Sequence, residues 1–222
     1  MQVATDKEKV RTKGCDGIPF ATIRRLPVYY RYLENLSKRE VERISSRELA
    51  AKIGSNPSQI RQDLSWFGNF GQEGYGYRVD ELLRAIGRIL GLDQKTEMVL
   101  VGAGHLGRAI ANYPGFRQRG FFIKAIFDNA PEVIGEIVGG VYVQDVRELE
   151  QYLLENPVKI GIITTPKEAA QEIADILVKG GVKGIWNFAP VSLKTPDGVA
   201  VENVHISESL MALSFRIQPG RR

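Results

Sequence analysis

One stretch of the sequence constrains the fold more than any other: the apolar residues 98–101, followed by Gly102-Ala103-Gly104-His105-Leu106-Gly107. The glycines have the spacing G-x-G-x-x-G, and a helical pattern of apolar residues comes next. A dinucleotide-binding fold requires this order of strand, tight turn and helix. Gly102 permits the sharp turn, Gly104 lets a pyrophosphate approach the backbone, and Gly107 lets the helix lie close to the strand.

An acidic residue at the end of the next apolar run supports this interpretation. Residues 125–127 predict a second strand, and Asp128 follows it, 21 residues after Gly107. A carboxylate at this place binds the 2′-hydroxyl of an adenosine ribose, which favours NAD(H) over NADP(H). The alternative is a glycine turn with an unrelated surface acid.

Composition excludes several classes of protein. The chain has 222 residues, of which 43 % are hydrophobic, and no apolar run approaches the ~20 residues that span a membrane. No apolar segment follows the charged N-terminus, so we expect no signal peptide. Cys15 is the only cysteine, and His105 and His205 are the only histidines. We therefore expect a cytoplasmic protein with no disulfide, no metal site and no membrane partner.

Charge is distributed unevenly along the chain. Residues 1–95 contain 17 Lys/Arg and 12 Asp/Glu, whereas residues 96–222 contain 13 and 14. A basic first half indicates a polyanionic partner, although many basic faces are merely solvated. Residues 1–17 are charged and poor in large apolar groups, and they predict a mobile basic arm.

The pattern of residues 18–92 predicts a winged helix-turn-helix domain. Residues 21–36 and 79–90 predict amphipathic helices. Ser45 and Glu48 have the spacing of a capping box, Gly54 ends the short helix that follows, and Asn56-Pro57 starts another. Residues 66–79 alternate aromatic residues and glycines, as in a β-hairpin that serves as a wing.

In a helix-turn-helix the second helix enters the major groove of DNA by its N-terminal end. Ser, Gln and Arg suit that surface, since Arg pairs with guanine and Gln with adenine. Taken singly, Arg61 and Gln62 are also compatible with an ordinary solvated helix face. The candidate DNA-binding residues are Arg25, Arg31, Ser46, Arg47, Lys52, Ser58, Gln59, Arg61, Gln62, Tyr75 and Tyr77.

The pattern of residues 93–205 predicts a Rossmann domain, in which strands and helices alternate to give a doubly wound parallel sheet. Further strands are expected at residues 141–143, 159–164, 184–188 and 199–205, and residues 130–140 are expected to form a polar loop. Ligands bind where parallel strands end. The candidate nucleotide-binding residues are Gly102, Ala103, Gly104, His105, Leu106, Gly107, Asp128, Asn129, Thr164, Thr165, Pro166, Asn187, Phe188, Ala189 and Pro190.

Residues 206–222 predict a C-terminal helix and tail. The helix, over residues 207–217, carries more apolar residues than one narrow stripe needs, so it buries against something large. Two alternatives remain at this point: the helix packs on its own domain, or it exchanges into a partner subunit.

No catalytic apparatus is evident beside the predicted nucleotide site. A dehydrogenase needs a proton donor or acceptor near the nicotinamide and a pocket for its substrate. His105 falls within the glycine turn, and no acid orients His205. The sheet itself consumes the chain after Lys95, so a bound nucleotide is expected to act as a signal rather than as a reagent.

Four further motifs carry a family resemblance. They are Ile18-Pro19-x-Ala21-Thr22-x-x-Arg25-Leu26-Pro27-x-Tyr29-Tyr30-Arg31, Arg61-x-Asp63-Leu64-Ser65-x-Phe67-Gly68, Gly74-Tyr75-Gly76-Tyr77 and Asn187-Phe188-Ala189-Pro190. Together they resemble the Rex family of bacterial redox-sensing repressors, over residues 18–215. The resemblance implies an α/β homodimer with a winged-helix domain on operator DNA, a Rossmann domain that binds NADH or NAD, and a C-terminal helix swapped between subunits.

The resemblance also implies a mechanism, in which NADH releases the repressor from DNA and NAD permits binding. Its redox switch corresponds to Arg31, Tyr113 and His205. Tyr113 matches a tyrosine near the nicotinamide, and Arg31 matches an arginine at the domain junction. The family residue at the position of His205 is commonly Asp, so the pairing of that acid with the arginine or the tyrosine cannot form here. A hydrogen bond between His205 and Tyr113 is expected in its place.

Two other functions fit the residues less well. An NAD-dependent oxidoreductase with an appended DNA-binding domain would turn over NADH and depend on His205. A regulator that binds coenzyme A or a sugar would use the same glycine turn. Asp128 argues against ligands with a phosphorylated ribose, because it would repel the phosphate.

Overall fold

The structure is a computed structural model that describes residues 17–68, 70–71 and 75–218. Residues 1–16 of the predicted basic arm and residues 219–222 of the tail lie outside this part. The chain divides into two compact units, and the division falls between Gln94 and Lys95.

The first unit consists of four helices and a short two-stranded ladder. The helices are α1 (Phe20–Ser37), α2 (Ser46–Ile53), α3 (Pro57–Ser65) and α4 (Val79–Ile89), and the strands are β1 (Arg43–Ile44) and β2 (Tyr77–Arg78). Their apolar faces share one core, which includes Leu26, Leu33, Leu49, Ile60 and Ile86. In this core α4 packs against α1.

Capping residues begin and end the helix-turn-helix where the sequence predicts. Ser45 accepts a hydrogen bond from the Glu48 N–H at 3.1 Å, and Glu48 accepts one from the Ser45 N–H at 2.8 Å. Gly54 ends α2 in the left-handed region, with a φ of 67°. Asn56 caps α3, whose first residue is Pro57. These caps satisfy N–H groups that the first helical turn leaves without partners.

The strand pairing of the wing differs from the predicted hairpin. β2 pairs with β1, which precedes α2, so that Ile44 lies opposite Tyr77. Two residues are too few to show a strand period, which is why the sequence did not predict β1. A Cβ added at Gly71 would lie 2.7 Å from the Gly76 carbonyl oxygen, so these two residues lie side by side. Asn69 and residues 72–74 of the predicted hairpin lie outside the described residues.

The second unit is a seven-stranded sheet covered by helices. Its strands are β3 (Thr96–Val101), β4 (Phe121–Asp128), β5 (Ile137–Val138), β6 (Val141–Asp145), β7 (Ile160–Ile163), β8 (Gly184–Asn187) and β9 (Ala200–Asn203). Its helices are α5 (His105–Ala111), α6 (Gly115–Gln118), α7 (Leu149–Glu155), α8 (Lys167–Lys179) and α9 (Ile206–Arg216).

The order of strands is β5-β6-β4-β3-β7-β8-β9, and every pair except β5–β6 is parallel. This is the predicted doubly wound parallel sheet with one antiparallel edge strand. Residues 130–140 were expected to be a loop, but they include β5. Buried side chains on the two faces of the sheet form two separate cores. The carboxyl ends of β3, β4 and β7 meet at one edge, because the central strands run in parallel.

The last helix buries none of its residues. Its large apolar side chains are 52–73 % exposed, and they are Ile206, Leu210, Met211, Leu213, Phe215 and, at the C-cap, Ile217. The alternative that α9 packs on its own unit is therefore wrong for the single chain. An apolar surface of this kind is typical of an interface with another chain.

Candidate functional site: a nucleotide cleft and a helix-turn-helix surface

A cleft of about 690 Å³ opens where β3, β4 and β7 end. Seven of the predicted nucleotide-binding residues line it, namely Gly102, Gly104, Asp128, Asn129, Thr164, Thr165 and Pro166. Ala103 is buried directly behind the turn. His105 and Leu106 begin α5 at the turn, and the His105 side chain is exposed.

The glycine turn has the geometry that its spacing predicts. Gly102 has a φ of 105°, and a Cβ there would lie 2.8 Å from the Thr164 carbonyl carbon. A Cβ on Gly107 would lie 1.9 Å from the Gly102 carbonyl oxygen, so α5 approaches the turn as closely as backbone allows. Apart from Gly104 and its two chain neighbours, no described residue lies within 4 Å of a Cβ built on Gly104. The backbone at Gly104 is therefore open to a ligand.

Asp128 is hydrogen-bonded to the backbone of the glycine turn. Its Oδ2 accepts a hydrogen bond from the Ala103 N–H at 2.5 Å, and its Oδ1 accepts one from the Ala130 N–H at 2.9 Å. The carboxylate thus stands beside the turn at the end of β4. A ribose hydroxyl that donates to Asp128 would be held next to phosphates on the turn.

The two threonines after β7 have different roles. The Thr164 hydroxyl lies 2.7 Å from the Gly102 carbonyl oxygen and 3.0 Å from that of Val101, so it braces the turn. The Thr165 Oγ1 is buried and has no hydrogen-bond partner within the described residues. An unsatisfied buried hydroxyl costs about 1–3 kcal/mol, which a ligand in the cleft can recover. The cleft thus fits a hydrogen-bonding group such as a dinucleotide.

The residues after β8 form a scaffold instead of a lining. Asn187 is fully buried, and its amide bonds to Ala189, Val191 and Asn203. Ala189 is also buried. Phe188 is half-buried with its ring against Trp186, 4.6 Å between centroids. None of the four described residues 187–190 lines the cleft. Asn187 and Ala189 thus stabilise the loop after β8 in this chain, and a nucleotide contact at these residues stays a prediction.

Acidic side chains dominate the charge of the cleft. Its lining includes Asp128, Glu168 and Glu172, and Arg147 is its only cation among the described residues. Arg147 is itself paired with Asp145. The side-chain hydrogen bonds from Arg147 lower the pKa of Asp145 to about 2.

The residues of the predicted redox switch are Tyr113 and His205 in the second unit and Arg31 in the first. Tyr113 is 54 % exposed and meets Phe116 edge to face, 4.9 Å between centroids. His205 is the residue before α9, and its side chain makes no capping bond. Arg31 is exposed on α1. No hydrogen bond joins Tyr113 to His205 in the described part of the chain.

Arg61 on α3 is held at the start of both helices of the helix-turn-helix. Its Nη1 donates to the Ser46 Oγ at 2.9 Å, and its Nη2 donates to the Ser58 Oγ at 3.0 Å. Ser46 begins α2, and Ser58 lies in the first turn of α3. The guanidinium remains exposed, so it is preorganised toward solvent with most of its donors available.

A buried carboxylate joins α3 to α1. Asp63 is fully buried and accepts bonds from Arg25, Tyr29, Gln59 and Thr22 at 2.6–3.1 Å. Burial acts to raise the pKa of Asp63, but these four donors, Arg25 first, outweigh it and hold that pKa below its usual value. Arg25 and Gln59 were predicted to contact DNA. In the structure Arg25 bonds to Asp63 through Nε and Nη2, and Gln59 has its amide nitrogen turned toward the same carboxylate.

The ladder beside the helix-turn-helix carries cations. Arg43 lies directly opposite Arg78, and Arg43 donates to the Tyr75 carbonyl at 3.3 Å. Tyr75 is 70 % exposed, whereas Tyr77 is 7 % exposed and packs in the core. Tyr77 was among the predicted DNA contacts, whereas Arg43 and Arg78 were not. The two arginines come together only through β1, which is too short to show a strand period in the sequence. The other predicted DNA contacts are exposed, and they are Arg31, Arg47, Lys52, Ser58 and Gln62.

Within residues 17–68, 70–71 and 75–218, no helix is long and apolar enough to cross a membrane. The same residues contain no group of three or more His, Cys, Asp or Glu side chains placed to hold a metal ion.

Comparison with known families divides the chain in two. Residues 17–65 match a family described as a putative DNA-binding protein N-terminus, and residues 93–191 match the CoA binding domain. The first match covers the helix-turn-helix, and the second covers the sheet with the glycine turn.

Curated relatives cover nearly the whole chain. The redox-sensing transcriptional repressor Rex of Clostridium acetobutylicum is 54 % identical over 201 residues, 90 % of this chain and 94 % of the relative. Rex of Clostridium beijerinckii is 56 % identical over 198 residues, which are 89 % of this chain and 94 % of the relative.

Solved structures of similar proteins also cover nearly the whole chain. RSP, a Rex-family repressor crystallised with β-NAD+ and operator DNA, has a TM-score of 0.86 at 52 % identity, covering 90 % of this chain and 92 % of RSP. RSP with β-NADH has a TM-score of 0.85 at 49 % identity, covering 90 % and 94 %.

Proposed function

The chain belongs to the Rex family of redox-sensing transcriptional repressors, and we propose that it binds palindromic operator DNA as a homodimer and leaves that DNA when NADH binds. The observation that carries this proposal is the combination of two sites in one chain. One is a helix-turn-helix with an exposed, oriented arginine, and the other is a cleft in which a glycine turn and Asp128 are joined.

The proposed DNA surface consists of the start of α3 and the cations around it. Arg61 pairs with a base edge or a phosphate from the position that Ser46 and Ser58 give it. The cations of the ladder contact the phosphate backbone, which positions the protein without reading sequence. The proposed DNA-binding residues are Arg31, Arg43, Ser46, Arg47, Lys52, Ser58, Gln59, Arg61, Gln62, Tyr75 and Arg78.

The proposed nucleotide site is the cleft. Main-chain N–H groups of the turn bind the pyrophosphate, Asp128 accepts from the adenosine ribose, and Thr165 offers its unpaired hydroxyl. Phe188, Tyr113 and His205 are proposed to contact the nicotinamide side. The reduced and oxidised nicotinamides differ by one hydride and one positive charge, so these contacts must carry the discrimination.

Release from DNA follows from differential affinity. A ligand shifts an equilibrium only by the difference in its affinity for two states. Two recognition helices read neighbouring half-sites when they lie about 34–36 Å apart, one turn of DNA. NADH favours a dimer arrangement that departs from this spacing, and NAD favours one that keeps it. The exposed apolar side chains of α9 supply the dimer contact.

We propose that the chain senses NADH and does not turn it over. Its curated relatives are named as repressors. A protein that acts on operator DNA works where the DNA is, which in a bacterium is the cytoplasm.

A mobility-shift experiment tests the DNA surface. The probe is a palindromic duplex selected from random-sequence DNA by the protein itself in the presence of NAD. Arg61→Ala is expected to weaken binding by about tenfold or more, the value of one bidentate contact. Arg84→Ala, which removes an exposed arginine of α4, is the matched control and is expected to bind as the wild type does. Equal loss in both variants would contradict the proposal.

A further inference from the structure

We infer that Asp145 determines the specificity of the cleft for NADH over NADPH, by holding Arg147 away from a 2′-phosphate. The inference rests on the function proposed above, because it assumes that the adenosine ribose lies at Asp128. The inferred residue, Asp145, lies on β6, the strand next to β4. Its side chain acts by pairing with Arg147 and does not touch the nucleotide.

Strand register brings Asp145 to the ribose side of the cleft. Asp145 is the last residue of β6 and lies directly opposite Asp128, the last residue of β4. Neighbouring strands lie about 4.8 Å apart. Arg147 follows two residues later and lines the same cleft as Asp128. It is thus the only cation among the described residues that lines the cleft where a 2′-phosphate would arrive.

One edge of the Arg147 guanidinium is already paired with Asp145. Its Nε lies 3.0 Å from Oδ1 and 2.9 Å from Oδ2 of Asp145, and its Nη2 also donates to Oδ2. The Arg147 N–H donates to Oδ1 at 2.9 Å. The Asp145 side chain is only 16 % exposed, against 86 % for Arg147. The carboxylate is therefore the fixed partner, and the arginine is the one that it holds.

Charge makes this arrangement selective. A phosphate monoester carries roughly −1.5 to −2 charges at neutral pH, and proteins that accept NADP(H) place an arginine to receive it. Here the lining offers Asp128, Glu168 and Glu172 against Arg147 alone among the described residues. Because Asp145 binds the Nε–Nη2 edge of the Arg147 guanidinium and offsets its charge, a 2′-phosphate meets net negative charge in the lining.

Asp145→Asn isolates this role. Asn is as good an N-cap as Asp and keeps an oxygen for the Arg147 N–H, so the start of the helical segment after β6 is preserved. The substitution removes the negative charge and frees the guanidinium. Asp175→Asn is the matched control, because it changes the net charge equally on an α8 residue that does not line the cleft.

The measurement is calorimetric titration of the full-length protein with NADH and, separately, with NADPH. The wild type is expected to bind NADH much more tightly. In Asp145→Asn the ratio of the NADPH to the NADH dissociation constant is expected to fall about tenfold, as one charge-assisted contact allows. The double variant Asp145→Asn/Arg147→Ala is expected to regain the wild-type ratio, and Asp175→Asn to keep it.

Each outcome of this titration either supports or overturns the inference. An unchanged ratio in Asp145→Asn, with NADH binding intact, would overturn this inference and leave the proposed function standing. A fall in the ratio that persists in the double variant would also overturn it, because Arg147 would then have no part. Absence of NADH binding to the wild type would overturn the proposed function and this inference together.

Discussion

The guanidinium of Arg25 holds the carboxylate of Asp63 through two hydrogen bonds, of 2.6 Å from Nε and 2.7 Å from Nη2. The pair joins α1 to α3, which is the helix proposed to read DNA. Asp63 is fully buried and the Arg25 side chain is 32 % exposed. The orientation of the recognition helix therefore depends on a residue that sequence reasoning assigned to the DNA surface.

Arg25→Ala is expected to destabilise the N-terminal unit by about 2–3 kcal/mol. Removing one partner of a buried ion pair costs about 3–5 kcal/mol, and the partial exposure of Arg25 reduces this figure. Hydrogen exchange of the α1 and α3 amides measures the loss. Arg78→Ala breaks the exposed pair with Glu81 and is expected to cost less than about 0.5 kcal/mol. Equal effects of both substitutions would contradict the structural role of Arg25.

The stability of the same unit is expected to depend on acid through Asp63. The pKa of this carboxyl is lower in the folded state than in the unfolded chain, so its contribution is complete above the unfolded value of about 3.9. The contribution is lost as the pH falls from there through the folded pKa. Urea unfolding between pH 2.5 and 6 is expected to show this loss, with a shallower dependence in Asp63→Asn. Carboxyl NMR of the wild type gives a second reading, and an Asp63 pKa at or above 3.9 would contradict the prediction.

Two glycines of the turn are expected to separate folding from binding. Gly107→Ala places a Cβ 1.9 Å from a backbone oxygen and is expected to lower the melting temperature by many degrees. Gly104→Ala has room for its Cβ and a φ of −69° that alanine accepts, so the fold is expected to survive. Its methyl group takes the space of a phosphate, and NADH affinity is expected to fall at least tenfold. Gly104→Ala that binds NADH normally would contradict the assignment of the phosphate site.

Charge on α9 is expected to break the proposed dimer. Leu210→Asp together with Leu213→Asp puts two carboxylates into an apolar surface, which costs several kcal/mol if that surface is buried between subunits. Sedimentation equilibrium is expected to give a dimer for the wild type and a monomer for the double variant. A wild-type monomer at micromolar concentration would contradict the prediction.

The sequence predicted those parts of the fold whose signals are local. Capping residues at Ser45, Gly54 and Asn56 fix the helix-turn-helix within a few residues of chain. The glycine turn is likewise marked within a short stretch of sequence, because its three glycines have the spacing G-x-G-x-x-G. A buried parallel strand such as β7 shows itself by a continuous apolar run.

The parts that were not predicted depend on contacts far apart in the chain. β1 is two residues long and exists because β2, 34 positions later, pairs with it. Arg25 and Tyr77 look like surface residues in the sequence. In the structure Arg25 is hydrogen-bonded to the buried Asp63, and Tyr77 lies opposite Ile44 in the core. Asn187 resembles a ligand contact at a strand end, yet its amide is saturated by the loop that follows. In each case a tertiary partner overrode the local pattern.

The most direct test of the account is fluorescence anisotropy of a labelled operator duplex, measured at a fixed total concentration of NADH plus NAD while the NADH fraction is varied. The account predicts tight binding in NAD alone and a steep loss of binding as the NADH fraction rises. Gly104→Ala, which keeps the DNA surface, is predicted to bind the duplex without responding to that fraction. An operator affinity that stays constant from all NAD to all NADH in the wild type would contradict the account.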